Sequence, residues 1–310
     1  MPAGASFRRK IFITNKTQRH MRVAINGNRH QEGHFGQIER LVNTLVKRGD
    51  DVVIAEVFLD YLEANIGPRF GFGLDRMPLT ARPHADLAIS IGGDGAFLKT
   101  ARWIGEESAP VAGINTGHLG YLSAFTFDNE EEIYNSLLAG KCPVEQRALI
   151  DVALSGDASH HPLHALNEIA ITRGDNAAML NLAVTIDGTS SLNYLGDGLI
   201  IATPTGSTAY NLSVGGPILA PTLEGWVISP IAAHSLSMRP LVVSSRSEIR
   251  ISVDTRGTGY RLSVDGKSQS LPLDTQLVVT RAPFNVNLVV QPGHAFTDTL
   301  RDKLGMGGVR

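Results

Sequence analysis

Cysteine is nearly absent from these 310 residues, and Cys142 stands alone. A single thiol forms no intrachain disulfide and has no cysteine partner for a zinc site or redox pair, so a reducing cytoplasm is the expected compartment. Excess positive charge is missing as well. The 28 Lys plus Arg face 30 Asp plus Glu, a net charge of -2, which leaves no surplus for gripping a phosphate backbone, and no nucleic-acid partner is expected. No apolar stretch approaches the ~18 residues that read as a membrane span, because Pro, Gly or a charge interrupts each one, and no membrane partner is expected. Internal repeats and low-complexity tracts are lacking. Neither G-x-x-x-x-G-K-[ST] nor G-x-G-x-x-G occurs, which argues against a P-loop enzyme and an ordinary Rossmann dehydrogenase. G-x-S-x-G is also missing, so Gly206-Ser207 is not a nucleophile elbow.

What is present organises into two domains, as the length favours. Residues 1-20 read as a leader or extension: Ser6 to His20 carries Arg8, Arg9, Lys10, Lys16 and Arg19 without an acid or an apolar signal core. From 21 to 142 short apolar strands alternate with amphipathic helices. Val23 to Asn26, Val52 to Val57, Asp86 to Ile91 and Val111 to Asn115 read as strands, and Ile38, Leu41, Val42, Leu45 and Val46 recur at helical spacing before Gly49. Such near-continuous β-branched strands predict a doubly wound α/β domain with a parallel sheet. A helix is expected over Glu130 to Leu138.

From 143 to 292 the texture becomes β-rich, with short alternating runs at Asp151 to Leu154, Leu182 to Ile186, Ile249 to Val253 and Leu262 to Val264 between turn residues. A β-sandwich-like domain with one helical insertion near Thr208 to Leu212 is the expectation. Residues 293-310 regain helical spacing over Thr297 to Leu304, predicting a final helix that returns to the first domain. His160-His161-Pro162-Leu163-His164 reads as a surface loop rather than a metal site, and Leu119 to Phe125 reads as core.

Chemistry concentrates in two glycine-rich segments. The strand ending at Ile91 runs directly into Gly92-Gly93-Asp94-Gly95, and Ala96 to Ile104 then reads as a helix. A loop at the end of a parallel strand and the start of a helix offers free amides and a favourable dipole to an anion. Glycine lets the backbone approach phosphate closely, and Asp94 beside it suits a proton acceptor or a metal-positioning group. Lys99 adds a cation. The plain alternative is a strand-to-helix turn with Asp94 as a cap. The second segment, Gly196 to Pro217, feeds a buried strand, Leu199 to Ala202, into a turn at Pro204 to Gly206, exposing hydroxyls and amides suited to a polar ligand.

Taken together and in order, Gly92 to Gly95, Gly113 to Leu122, Asn167-Glu168, Thr203 to Tyr210 and His234 to Pro240 resemble the NAD kinase family, from about Met21 to the C-terminus. The resemblance implies a phosphotransferase that uses ATP to phosphorylate the 2'-hydroxyl of the adenosine ribose of NAD, with a divalent cation, usually magnesium, on the donor phosphates. It implies Asp94 as proton acceptor, and Gly95 and Lys99 near the phosphates. Asn167 and Glu168 would bind ribose hydroxyls, Asp197 the nicotinamide half, and Thr208, Ala209, Tyr210, Asn211, Leu212 and Ser213 the wall at the adenine end. Ala178, Leu195 and Lys267 stand at binding positions where some members carry His, Arg and Gln. A homodimer or homotetramer is implied too. The rivals are a catalytically silent NADP(H)-binding sensor and a lipid or sugar kinase sharing only the G-G-D-G loop.

Overall fold

The computed structural model describes residues 20-117, 120-155, 163-174 and 178-307. The basic leader at residues 1-19 lies outside them. The chain divides into two compact units, Met1–Gln146 with Val286–Arg310, and Arg147–Asn285.

In the first unit, β1 (Arg22–Gly27), β2 (Asp51–Ala55), β3 (Asp75–Met77), β4 (Leu87–Ile91) and β5 (Val111–Asn115) form a parallel sheet in the order β3-β2-β1-β4-β5. β4 and β5 are buried at every residue, as strands covered on both faces must be. The covering helices are α1 (Phe35–Lys47), α2 (Glu56–Ile66) and α3 (Asp94–Ile104). The short β6 (Phe125–Thr126) pairs with β5 in parallel. The expected strand Val52 to Val57 ends early, because Glu56 and Val57 already belong to α2. Glu56 sits in that helix's first turn, while Phe58, Leu59 and Leu62 carry the buried helical stripe. The expected helix from Glu130 is a single α-turn, α4 (Glu130–Glu132), capped by the Asn129 side chain and continued as a π-helical turn over Ile133–Leu137. Tyr121 is half-buried and Leu122 and Phe125 are buried, as core; Leu119 lies outside the described residues.

The second unit is antiparallel. Its strands are β7 (Val144–Leu154), β8 (Leu163–Ala165), β9 (Glu168–Arg173), β10 (Leu180–Ile186), β11 (Leu192–Gly196), β12 (Gly198–Ala202), β13 (Gly225–Ile231), β14 (Leu241–Ser244), β15 (Ile249–Asp254), β16 (Gly259–Val264), β17 (Lys267–Pro272) and β18 (Leu277–Val289). One sheet runs β14-β13-β12-β9-β16-β17, and β11-β10-β15-β18 forms the other layer. Ile169, Ile171, Leu199, Ile201, Trp226 and Leu262 from the first sheet pack with Leu182, Val184, Ile251 and Val279 from the second, a sandwich core. Ala170, Ile200, Ala202 and Val227 point the other way and are covered by Leu219. With Leu199 and Ile201 in the sandwich core and Ile200 and Ala202 in the Leu219 cluster, both faces of β12 are covered and the strand is buried throughout.

β7 and β18, of 11 and 13 residues, are longer than the short runs expected from the sequence. The chain passes between the units within these two strands. His164 is strand, not loop: it lies in β8 with its ring edge-on to Phe284 at 4.8 Å, while His160, His161 and Pro162 fall outside the described residues. The final helix, α6 (Phe296–Leu304), belongs to the first unit, where Lys303 Nζ stands 5.5 Å from the centre of the Tyr121 ring.

Candidate functional site

In the first unit, β4 delivers the chain into Gly92, whose φ of +130° is open to glycine alone. A Cβ there would also meet the Asn28 amide at 2.9 Å. The Gly92 N–H donates to Ile114 O at 2.8 Å, and the Asn28 N–H donates to Ile91 O at 3.2 Å, so neighbouring loops hold this turn from both sides. Ser123 Oγ donates to Gly92 O at 3.2 Å, and Gln31 Nε2 donates to Ile91 O at 3.3 Å. Gly93 is the N-cap of α3 with no side-chain cap, and nothing lies within 4 Å of where a Cβ would stand on Gly93 or Gly95. That leaves helix-terminal backbone open to an anion.

Asp94 opens α3, and its carboxylate is aimed at a specific turn. The Tyr121 N–H donates to Oδ2 at 2.8 Å and the Leu122 N–H donates to Oδ1 at 3.0 Å. A Cβ on Gly120 would stand 1.9 Å from Oδ1, so only glycine permits this grip. An ionised carboxylate has about four acceptor sites, and each oxygen keeps capacity for a substrate proton or a cation. Charge-assisted bonds of this kind fix position better than a free side chain on a helix terminus. Tyr121 reports the proximity: burial, and then the Asp94 charge, push its phenol upward. Lys99 lies on the same helix and is exposed. The role of Gly120 was not read from the sequence, where Leu119 to Phe125 passed as core; the glycine within Gly113 to Leu122 was the available signal.

In the second unit, β9 starts at Glu168, and the Thr203 to Ser213 lip is stitched to the residues just before it. The Thr203 N–H donates to Asn167 O at 2.8 Å, Thr203 Oγ1 donates to Leu166 O at 2.5 Å, and Gly206 N–H donates back to Thr203 Oγ1 at 3.0 Å. A Cβ on Gly206 would sit 2.0 Å from Asn167 O, so this close approach requires glycine. The expected helix near Thr208 to Leu212 is two short pieces, a 3-10 turn at Gly206–Thr208 and α5 (Tyr210–Ser213), broken at Ala209.

Much of the lip's polarity is consumed internally. Asn211, expected in the ligand wall, is fully buried: Nδ2 donates to Ser207 O and Pro217 O at 3.1 and 3.2 Å, and Oδ1 accepts from Ser229 Oγ at 2.6 Å. It braces the lip, and its side chain offers no free face to a ligand. Ser207 is likewise buried, donating to Pro204 O at 2.6 Å. What remains accessible is partly buried Thr208, Ala209 and Leu212, exposed Ser213, and Tyr210, which is 42% exposed.

Glu168 is buried, and its Oε2 lacks a hydrogen-bond partner among the described residues. Its carboxyl is pushed up to about 7, chiefly by burial and next by the Asp265 charge, with the Tyr210 N–H pulling the other way. A buried, unsatisfied carboxyl with a raised proton affinity is a functional-site signature. The fold therefore brings together Asn167, Glu168 and Tyr210. Lys267, at the start of β17, opens the strand that follows the Asp265 turn and is exposed. Asp197 lies at the other end of β9: its carbonyl accepts from the Arg173 N–H, and Arg173 Nη1 lies 3.4 Å from its carboxylate. Leu195, on β11, is 38% exposed there. Ala178 lines a pocket of about 410 Å³ with Leu180, Thr255, Thr258, Tyr260 and Ser270. Asp197 and Leu195 thus lie at the end of β9 away from Glu168. Asp265 is the residue near Glu168 that the sequence reading passed over; the Asp-Gly between two strand-like runs was its only signal.

Among the described residues, no group of three or more His, Cys, Asp or Glu is placed to hold a metal ion. No helix among them is long and apolar enough to cross a membrane. Cys142 is buried, and burial, with the Glu132 charge, pushes its thiol up to about 11, which disfavours the thiolate.

Known proteins are similar to this chain in sequence and fold. Residues 75–142 match the family model described as the ATP-NAD kinase N-terminal domain, and residues 166–290 match the ATP-NAD kinase C-terminal domain. An NAD kinase of Porphyromonas gingivalis is 38% identical over 288 residues, covering 92% of this chain and 98% of that one. One of Bacteroides fragilis is 37% identical over 287 residues, covering 93% and 98%. Among solved structures, yeast NADH kinase complexed with NADH superposes with a TM-score of 0.82 at 26% identity, covering 94% of this chain and 89% of that one. An NAD kinase from Archaeoglobus fulgidus in complex with ATP gives 0.69 at 25% identity, covering 93% and 100%. Likeness of this depth, carried through both units, makes the chain a member of the NAD kinase family.

Proposed function

We propose that this chain transfers the terminal phosphoryl group of ATP to the 2'-hydroxyl of the adenosine ribose of NAD, an alcohol-accepting phosphotransferase reaction yielding NADP and ADP. The observation that carries the reading is the Asp94 carboxylate, held by two backbone amides at the N-terminus of α3 beside open glycine backbone. In the reaction Asp94 takes the proton of the 2'-hydroxyl as that oxygen bonds to the terminal phosphorus. The bond from that phosphorus to its bridging oxygen breaks, and ADP leaves with the electron pair. Gly95 offers backbone amide to the phosphates and Lys99 offers charge. Asn167 and Glu168 hold ribose hydroxyls, an amide and a carboxylate suited to a diol. Thr208, Ala209, Tyr210, Leu212 and Ser213 form the ligand wall, and Asp197, Leu195, Ala178 and Lys267 complete the dinucleotide contacts.

Magnesium is the divalent cation in this proposal. It takes few protein ligands and many phosphate and water oxygens, and the single hard carboxylate of Asp94, with acceptor capacity to spare, fits that habit. When bound, it neutralises charge on the donor phosphates. A cytoplasmic location and a homodimeric or homotetrameric assembly belong to the same proposal. The test is a donor-by-acceptor matrix of ATP and polyphosphate against NAD, NADH, a diacylglycerol and a hexose. Turnover on a dinucleotide alone supports the reading. Turnover on lipid or sugar, or tight dinucleotide binding with no product, would replace it.

A further inference from the structure

We propose that Asp265 is the positioning residue for the Asn167-Glu168 pair, clamping its backbone and setting, by its charge, how readily the Glu168 carboxylate meets a ribose diol. The inference rests on the reading of Glu168 as a ribose ligand.

Asp265 and Gly266 are the two central residues of the tight turn joining β16 to β17, between the paired Val264 and Lys267. Their φ values of +45° and +77° fit the two-residue hairpin that Asp-Gly favours. Turn geometry asks nothing of the side chain beyond that, yet this side chain is fully engaged. Oδ2 accepts from the Leu166 N–H at 2.8 Å, and Oδ1 accepts from the Asn167 and Glu168 N–H groups at 2.8 and 3.2 Å. The Asp265 N–H donates to Glu168 O at 3.1 Å. Four bonds therefore tie one turn residue to three consecutive residues about 100 positions earlier. They fix the backbone from which Asn167 and Glu168 project.

The same carboxylate bears electrostatically on Glu168. Of the elements around Glu168, the β16–β17 turn contributes Asp265 and α5 contributes the Tyr210 N–H. Its β12 neighbour in register is the apolar Ala202, and Lys267 on β17 is exposed. With burial and Asp265 both raising it, the Glu168 carboxyl ionises near neutral pH. An ionised carboxylate accepts from both hydroxyls of a diol, so NAD binding strengthens as pH rises through about 7.

The experiment is calorimetric titration of the full chain with NAD across a pH series, using wild type, Asp265→Asn, Glu168→Gln and the double variant, with kcat, KM and melting temperature alongside. Asn cannot satisfy all three amides, so Asp265→Asn weakens NAD binding about tenfold or more above the Glu168 ionisation while kcat stays within about threefold. Its inflection moves to lower pH, because the neighbouring negative charge has gone. In Glu168→Gln the inflection vanishes, and adding Asp265→Asn then costs less than it does in wild type. A residue that merely shapes the hairpin would lower the melting temperature and leave the inflection in place, and that outcome overturns the proposal. If Asp265→Asn fails to fold, Asp265→Ser, which keeps one short acceptor, is read the same way. If Glu168→Gln binds NAD as wild type does, the ribose-ligand reading fails and the proposal falls with it.

Discussion

Gly120→Ala is the substitution that separates a held Asp94 from a merely nearby one. The added Cβ would stand 1.9 Å from Asp94 Oδ1, where real contacts stay beyond 3.0 Å. Either the carboxylate or the turn must therefore move by at least about 1 Å. Movement breaks the bonds from the Tyr121 and Leu122 amides, each a charge-assisted bond contributing about 1.5–3 kcal/mol before any relaxation. Misplacing a catalytic group by about 1 Å costs on the order of 100-fold in rate. Steady-state assays with ATP and NAD should give kcat lowered about 100-fold, with KM for NAD within a few-fold, because Asn167 and Glu168 are built by other elements. The melting temperature should fall by only a few degrees. A folded Gly120→Ala protein with wild-type kcat would refute the role given to this grip.

Other perturbations have equally definite outcomes. Glu168→Gln should weaken NAD binding measured by calorimetry, most at high pH where the native carboxyl is ionised, and equal affinity at all pH values would remove Glu168 from the site. Because that carboxyl holds its proton more tightly in the folded chain than in the unfolded one, its burial destabilises the fold progressively as pH rises from about 4.5 through 7. Glu168→Gln should therefore raise the melting temperature more at pH above 7 than at pH below 4.5, and a uniform shift would contradict the burial argument. Gly206→Ala places a Cβ 2.0 Å from Asn167 O, so it should part the lip from the start of β9 and weaken NAD binding at least about tenfold. Unchanged affinity would show that the lip does not depend on that contact.

Local pattern carried most of the fold into view. β1, β4 and β5 are short β-branched runs, and a run buried on both faces has no polar side to blur it. α2 stayed hidden because Val52 to Val57, broken only by Glu56, has the texture of one strand, and the buried helical stripe begins only at Phe58. The site divides the same way. Gly92 to Gly95 could be read because strand, glycines and helix are contiguous. Gly120 could not, since its meaning is a distance to Asp94, which no local pattern contains. Asp265 carries no local signal beyond the Asp-Gly pair of a hairpin, because its role lies in bonds to Leu166, Asn167 and Glu168 about 100 residues away. Asn211 lies in a hydroxyl-rich and amide-rich segment that resembles a ligand wall, and the structure adds what no local pattern contains: Ser207, Pro217 and Ser229 hold its side chain.

The most direct measurement is phosphorus NMR of the product formed from NAD and ATP by wild type and by Asp94→Asn in parallel. Wild type should give NADP carrying its new phosphate on the 2'-oxygen of the adenosine ribose. Asp94→Asn should give the same product at least ~100-fold more slowly, with NAD affinity within a few-fold. A phosphate at any other position, or an Asp94→Asn variant turning over at the wild-type rate, would contradict the account.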